Sequence, residues 1–270
     1  MFESGLPGFD SMRFALGVEY DGSDFSGWES QPGQRTVQST VESALTSVAD
    51  NPIGVICAGR TDAGVHALEQ VVHFDSPVER APHEWVLGAN TNMASDVSVR
   101  WAQPAAEGFH ARFTALRRTY RYVIQNRRER SALLRRRASW ERGPLDVTSM
   151  ARAAEQLLGE HDFSSFRAAG CQAKNAVRRV AHLDVQRRGE LIFIDIVANA
   201  FLQHMVRNVA GVLVEIGKGK RPPDWAGELL EARDRTLGAA TAPPQGLYLT
   251  CIDYPPEHGL PAVSPEWLLW

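Results

Sequence analysis

Thiol chemistry has little to work with in this sequence: the three cysteines, Cys57, Cys171 and Cys251, stand far apart and form no Cys-x-x-Cys pair. An odd, scattered set supports neither a disulfide framework nor a thiolate zinc site, so buried or incidental thiols are expected. No run approaches the roughly 18 consecutive apolar residues of a membrane span. Met1 to Asp10 carry acids, glycine and proline where a secretion signal needs a basic and then an apolar stretch. A cytoplasmic address without a membrane partner is the expectation. Also missing are the glycine-rich phosphate loop, the dinucleotide-binding glycine triplet, the paired-histidine zinc helix, the serine nucleophile elbow and any carboxylates spaced as a metal cage. Several large enzyme classes lose support together. Lysine is scarce too, at three residues against 26 arginines.

What is present is globular. The 270 residues exceed the roughly 100 to 150 of one typical domain, allowing one large core or two smaller ones. With 44% hydrophobic and 23% charged residues, a disordered, collagen-like or coiled-coil chain is excluded. The formal net charge of −3 hides an uneven distribution: Arg112 to Arg142 holds eleven arginines against Glu129 and Glu141, a local +9 that leaves −12 elsewhere. Guanidinium forks suit phosphate oxygens and stack on bases, so this stretch, interleaved with Tyr120, Tyr122 and Trp140, is a candidate nucleic-acid contact. A coding bias toward arginine, filling solvated surface, explains the same composition.

The hydrophobic pattern predicts a strand over Phe14 to Tyr20, a turn-rich stretch to Gln34, and a helix over Thr36 to Ala49 with Val37, Val41, Leu45 and Val48 on one face. Short β-branched runs at 53–57 and 70–74 read as strands bracketing a glycine-punctuated loop. A second round starts near Arg117, where Tyr120, Tyr122 and Ile124 alternate with polar residues. A helix capped by Asp146 and carrying Met150, Ala154, Leu157 and Leu158 follows and stops at Gly159. Val177 to Val185 and Leu191 to Val197 read as paired strands, and a last helix runs from Leu202 to Ile216, with Gly217 at its end. Strand, helix, strand, strand thus occurs twice, which predicts two similar α+β halves, 1–108 and 109–270, joined around 104–116.

The densest polar cluster is Gly59-Arg60-Thr61-Asp62-Ala63-Gly64-Val65-His66, directly after an apolar strand. Its glycines let the backbone bend and a large ligand approach. Asp62 is then either a carboxylate presented at a sheet end or the cap of its own turn. His66 and His73 lack nearby carboxylate or thiolate partners, which favours structural roles over metal ligation.

The stretch Ala58 to Ala67, AGRTDAGVHA, resembles the catalytic motif of the tRNA pseudouridine synthase A family. More of that family's pattern follows in order: Tyr20-Asp21-Gly22 through Gly27-Trp28; Phe109-His110-Ala111-Arg112-Phe113 with Arg118, Tyr120 and Tyr122; Asp162-Phe163-Ser164-Ser165-Phe166; Asn199-Ala200-Phe201 through His204-Met205-Val206-Arg207-Asn208; and Gly246-Leu247-Tyr248-Leu249. The resemblance spans residues 13 to 254. Met93-Ala94 stands where many relatives have Leu-Pro, and Ala176 where some have Pro, departures that bear on loop geometry alone.

The resemblance implies a pseudouridine synthase fold, two α+β halves with antiparallel and mixed sheets around a central cleft. It implies isomerisation of uridine to pseudouridine in the anticodon stem-loop of tRNA, at positions 38, 39 and 40, without a cofactor and by a homodimer that the RNA crosses. Asp62 would be the catalytic carboxylate, suited to the cationic character that develops on a sugar when its base departs. Whether it attacks the sugar, attacks the base or removes a sugar proton is left open. Arg60 would assist base flipping, since a stacked base must be extruded before it can react. Tyr120 would stack on the uracil, though alone it reads equally as a core strand aromatic. Arg207, otherwise a residue of a solvated helix face, would pair with Asp62, and Leu247 would pack on the base and exclude water. Arg117, Arg118, Arg135, Arg136 and Arg137 would track phosphates. Two other outcomes stay open at this stage: an RNA-binding protein of this fold without activity, and a nucleoside or glycoside hydrolase.

Overall fold

The computed structural model describes residues 11–261; the N-terminal stretch read above as unlike a secretion signal lies outside the described residues, as do 262–270. The elements are β1 (Met12–Tyr20), α1 (Val37–Ala49), β2 (Ile56–Cys57), β3 (His66–Ser76), α2 (Pro82–Thr91), β4 (Val97–Pro104), β5 (Arg117–Asn126) and β6 (Ser139–Glu141). They continue with α3 (Val147–Glu155), β7 (Gly159–Asp162), β8 (Val177–Arg188), β9 (Leu191–Ala198), α4 (Met205–Gly217), α5 (Trp225–Ala232) and β10 (Leu247–Asp253). The architecture is mixed α+β. Ten strands make one sheet in the order β4-β1-β3-β10-β5-β9-β8-β7, with β2 added on β3 and β6 on β5. Only the pairings β10 with β3 and β6 with β5 are parallel.

Local chemistry sets most boundaries. Thr36 caps α1 by accepting the Ser39 N–H, and Val37, Val41, Ala44 and Leu45 are buried along one side, as the spacing requires. The same core holds a cluster of Phe14, Phe74 and Trp85, with ring centroids 4.9–5.6 Å apart. Asp146 caps α3 through Thr148 and Ser149, but the helix ends at Glu155, so Leu157 and Leu158 lie beyond it rather than on its stripe. The predicted helix over 202–216 begins three residues later, because His204 takes a left-handed backbone with φ of 62° that α-helix cannot continue. The run at 53–57 shortens to Ile56–Cys57, whereas the run at 70–74 extends to His66–Ser76. Elements α2, β4, β6, β7 and α5 fall outside the repeating pattern.

The last strand among the described residues lies at the middle of the sheet. Tyr248 and Leu249 pair with His66 and Ala67 of β3, while Leu247 and Leu249 oppose Tyr122 and Tyr120 of β5. This insertion brings together the loop before β3, the Tyr120 strand and Leu247, three segments distant in sequence. Among the described residues no helix is long and apolar enough to cross a membrane.

Candidate active site

The loop from 58 to 65, between β2 and β3, carries Asp62, and side chains hold it where the strand ladder stops. Ala58 N donates to the Val71 carbonyl at 2.8 Å. The buried Gln70 amide then takes the part of a strand neighbour, donating to the Gly59 carbonyl at 2.5 Å and accepting the Gly59 N–H at 3.3 Å. The Tyr20 hydroxyl bonds Thr61 Oγ1 at 2.7 Å, and Trp28 N donates to the Thr61 carbonyl at 3.0 Å. Two glycines permit this crowding. Gly27, at φ of +100°, lies so close that a Cβ would sit 3.3 Å from the Asp62 carbonyl carbon, and Gly64, at +78°, packs on Pro244.

Asp62 Oδ2 accepts a hydrogen bond from Arg207 Nη1 at 3.1 Å, and His204 Nε2 stands 3.6 Å from the same oxygen. Arg207 is fixed in turn: its Nε donates to the Ala242 carbonyl at 2.8 Å, and Ala242 N donates back to the Arg207 carbonyl at 3.1 Å. The Asp62 side chain keeps 25% of its surface exposed, open enough for a ligand to reach and dry enough for the ion pair to matter. Tyr120 projects from β5 with Phe201 edge-on at 5.0 Å. Burial, and then the negative charge of Asp62, push the Tyr120 hydroxyl above its ordinary range, so it stays protonated at neutral pH. Leu247 opens β10, directly after the turn at Pro244 that presses on Gly64. Asp62, Arg207, Tyr120 and Leu247 thus share one region. A cavity of about 490 Å³, lined by Tyr122, Trp140, Lys218 and Trp225, lies behind the 239–243 segment and meets this region only at Ala242.

The structure places the arginines unequally. Arg60 is exposed and ion-paired to Glu29 at 2.5 Å, on the rim and not on Asp62. Arg117 pairs with Asp253 at 3.0 Å, Arg136 with Asp24 at 2.8 Å and Arg137 with Asp21 at 2.6 Å, which neutralises much of their charge. Arg135 is exposed and, among the described residues, bonds only the Ala132 carbonyl. Arg118 corrects the expectation of a phosphate contact: it is 8% exposed, and its guanidinium donates to the carbonyls of Ala58, Arg112, Ala115 and Asn199 at 2.8–3.1 Å. These four bonds take up the Nη1 and Nη2 hydrogens, so the fork that a phosphate would meet is already spent.

Sequence reasoning gave no role to Tyr20, Gln70, Asp21 or His204. A lone glutamine in an apolar run was the available signal for Gln70; the left-handed backbone of His204 has none. Asp21 receives Arg137, the Ser23 hydroxyl and N–H, and lies 3.1 Å from His66 Nδ1. Against the burial that would raise it, these bonds hold its carboxyl well below the usual range. His66 and His73 each accept a backbone N–H, from Gly22 and Ala111 respectively, both at 3.1 Å, and burial pushes His73 down to about 4. Among the described residues no three histidine, cysteine, aspartate or glutamate side chains converge as a metal-ligand set.

A carboxylate held by an arginine on a glycine-bracketed loop, near an aromatic and a leucine, suits glycosidic chemistry on a flat base. The family described as tRNA pseudouridine synthase matches residues 17–114 and 153–255 of the chain. The chain belongs to that family, enzymes that convert uridine in tRNA to pseudouridine. It is similar over nearly its whole length to proteins named tRNA pseudouridine synthase A: one from Nitrosococcus oceani, 58% identical, covering 96% of this chain and 100% of the relative, and one from Methylococcus capsulatus, 56% identical, covering 92% of each. The corresponding protein of Alcanivorax borkumensis is 52% identical over 95% of this chain and 97% of its own.

Proposed function

We propose that the chain isomerises uridines of the tRNA anticodon stem-loop, at positions 38, 39 and 40, with Asp62 as the catalytic carboxylate. The observation that carries this reading is the Asp62–Arg207 pair at 3.1 Å on the loop beside Tyr120 and Leu247. In the reaction the N1–C1′ bond breaks, the uracil turns, a C5–C1′ bond forms, the C5 proton leaves to solvent and N1 gains one. Nothing is oxidised and no fragment is released, so the site needs an anion for the sugar, flat walls to retain the base, and little water. Asp62 supplies the first, Tyr120 and Leu247 the second and third. Arg207 fixes the carboxylate. Arg60 leaves Glu29 to take the place of the extruded nucleotide, and exposed arginines such as Arg135 track phosphates across a homodimer. The halves 1–108 and 109–270 form the two walls of the cleft, the first bringing Asp62 and the second Tyr120, Arg207 and Leu247.

The test uses tRNA tritiated at uridine C5. Isomerisation releases tritium to water, binding without turnover releases none, and hydrolysis yields free uracil. Asp62→Asn is expected to abolish release while tRNA affinity stays within about tenfold, or about 1.4 kcal/mol. A matching loss of affinity would make Asp62 a structural residue.

A further inference from the structure

Beside the start of the Asp62 loop, the turn over 109–116 exposes an aromatic ring that no described element covers. Phe113 is 76% exposed, and its ring stacks on the His110 imidazole with centroids 4.2 Å apart and planes 27° from parallel. His110 is fixed from three sides. Its Nδ1 accepts the backbone N–H groups of Arg112 and Phe113, both at 3.2 Å, and its own carbonyl accepts from the Thr114 hydroxyl at 2.7 Å. Its ring rests on the buried His73 at 4.5 Å, and His73 is itself tied to Ala111 N. The result is a column of the stacked Phe113 and His110 rings, rooted in the interior by the contact with His73, whose plane is tilted 60°, and with its outer face open to solvent.

The column adjoins the catalytic loop. One nitrogen of Arg118, Nη2, donates both to the Arg112 carbonyl at 2.8 Å and to the Ala58 carbonyl at 3.0 Å, so the turn and the start of the loop are held together by a single buried guanidinium. The Arg112 side chain lies alongside the Phe113 ring at 5.8 Å and has no acidic partner among the described residues.

We propose that Phe113, backed by His110, is a stacking platform for an unpaired base of the tRNA next to the nucleotide drawn into the cleft, with Arg112 taking the adjoining phosphate. This rests on the tRNA reading of the cleft. Extruding one nucleotide strips its neighbours of a stacking partner, and an open aromatic face beside cations replaces that partner for any base, because every base has a π-face. The preorganised column costs little side-chain entropy on binding. Charge argues for RNA over a second copy of the chain, since a protein partner would have to desolvate Arg112 without a carboxylate in view.

The test measures equilibrium binding of unmodified tRNA at fixed salt by the full chain and its Phe113→Ala, Phe113→Leu and Phe113→Tyr variants, together with single-turnover tritium release at saturating tRNA and sedimentation of the free protein. Phe113→Ala is expected to weaken binding about tenfold, Phe113→Leu nearly as much, and Phe113→Tyr to stay within about twofold of the parent. The rate at saturation and the sedimentation should not move. Binding by Phe113→Ala within about twofold of the parent, full substitution by leucine, or a changed oligomeric state would each overturn the proposal. Binding is read apart from turnover, so an inactive parent enzyme would count against the isomerase reading and leave this result standing by itself.

Discussion

At the scale of single residues, Asp62 shows how a carboxylate is aimed. Arg207 and His204 both address Oδ2, while Oδ1 has no hydrogen-bond partner among the described residues. Arg207→Gln would keep a side-chain donor but remove the charge. It is expected to lower single-turnover tritium release by about 100-fold with tRNA affinity nearly unchanged, a loss of about 3 kcal/mol confined to the transition state. A fall in affinity of the same size would show that Arg207 serves RNA binding instead. Glu69 shows the opposite case, a carboxyl buried with one donor, Trp101 Nε1 at 3.1 Å. Burial pushes it up to about 7 from an ordinary 4.5. Its folded-state value is raised, so the stability it contributes is fully present below pH 4.5 and lost as pH rises through 7, by about 3 kcal/mol. Glu69→Gln keeps the acceptor and cannot ionise. Thermal unfolding should show the variant near the parent at pH 5 and increasingly more stable toward pH 8; a difference independent of pH would mean that Glu69 does not titrate in this range. The pairing of Asp62 with Arg207 was legible because both residues sit in short motifs. The burial of Arg118 was not, since a strand arginine that meets four carbonyls looks the same in sequence as one that meets water.

At the scale of elements, the loop that carries Asp62 is held more by side chains than by the ladder. Tyr20→Phe removes the bond to Thr61 Oγ1 and leaves that buried oxygen without its partner, at a cost of about 1–3 kcal/mol. Turnover should fall with the melting temperature, while tRNA affinity holds; unchanged turnover would show that Gln70 and Trp28 alone fix Asp62. The same distinction explains what the pattern showed. Helix α1 was legible from its cap and stripe because both are local. Helices α2 and α5 were not: α2 buries only Trp85 and Ala89 in ten residues, and α5, with four of its eight buried, spans about two turns, too short to establish a period. The late start of α4 depends on one backbone angle at His204. Strand β10 has ordinary strand composition, but its place between β3 and β5 depends on pairings with residues more than a hundred positions away, which no local window contains.

At the scale of the whole molecule, the basic segment that stands out in the composition is largely spent on internal contacts. Arg117, Arg121, Arg127, Arg136 and Arg137 each face a carboxylate, and Arg118 is buried, so the local +9 overstates the charge available to RNA. What stays open is a sparser set that includes Arg112, Arg128, Arg130, Arg135 and Arg142, all exposed and without an acidic partner among the described residues. A phosphate contact releases counterions in proportion to the charge it meets, so the slope of log affinity against log salt counts such contacts where a single affinity does not. Arg135→Ala is therefore expected to flatten that slope by about one and leave the melting temperature unchanged. Arg118→Ala should do the reverse, leaving the slope intact and lowering stability by about 3 kcal/mol as four carbonyls lose a charged donor. If Arg118→Ala flattens the slope in a folded protein, its guanidinium reaches RNA and the buried brace is not its role in the complex; if both variants leave the slope unmoved, the tRNA runs over another face of the sheet.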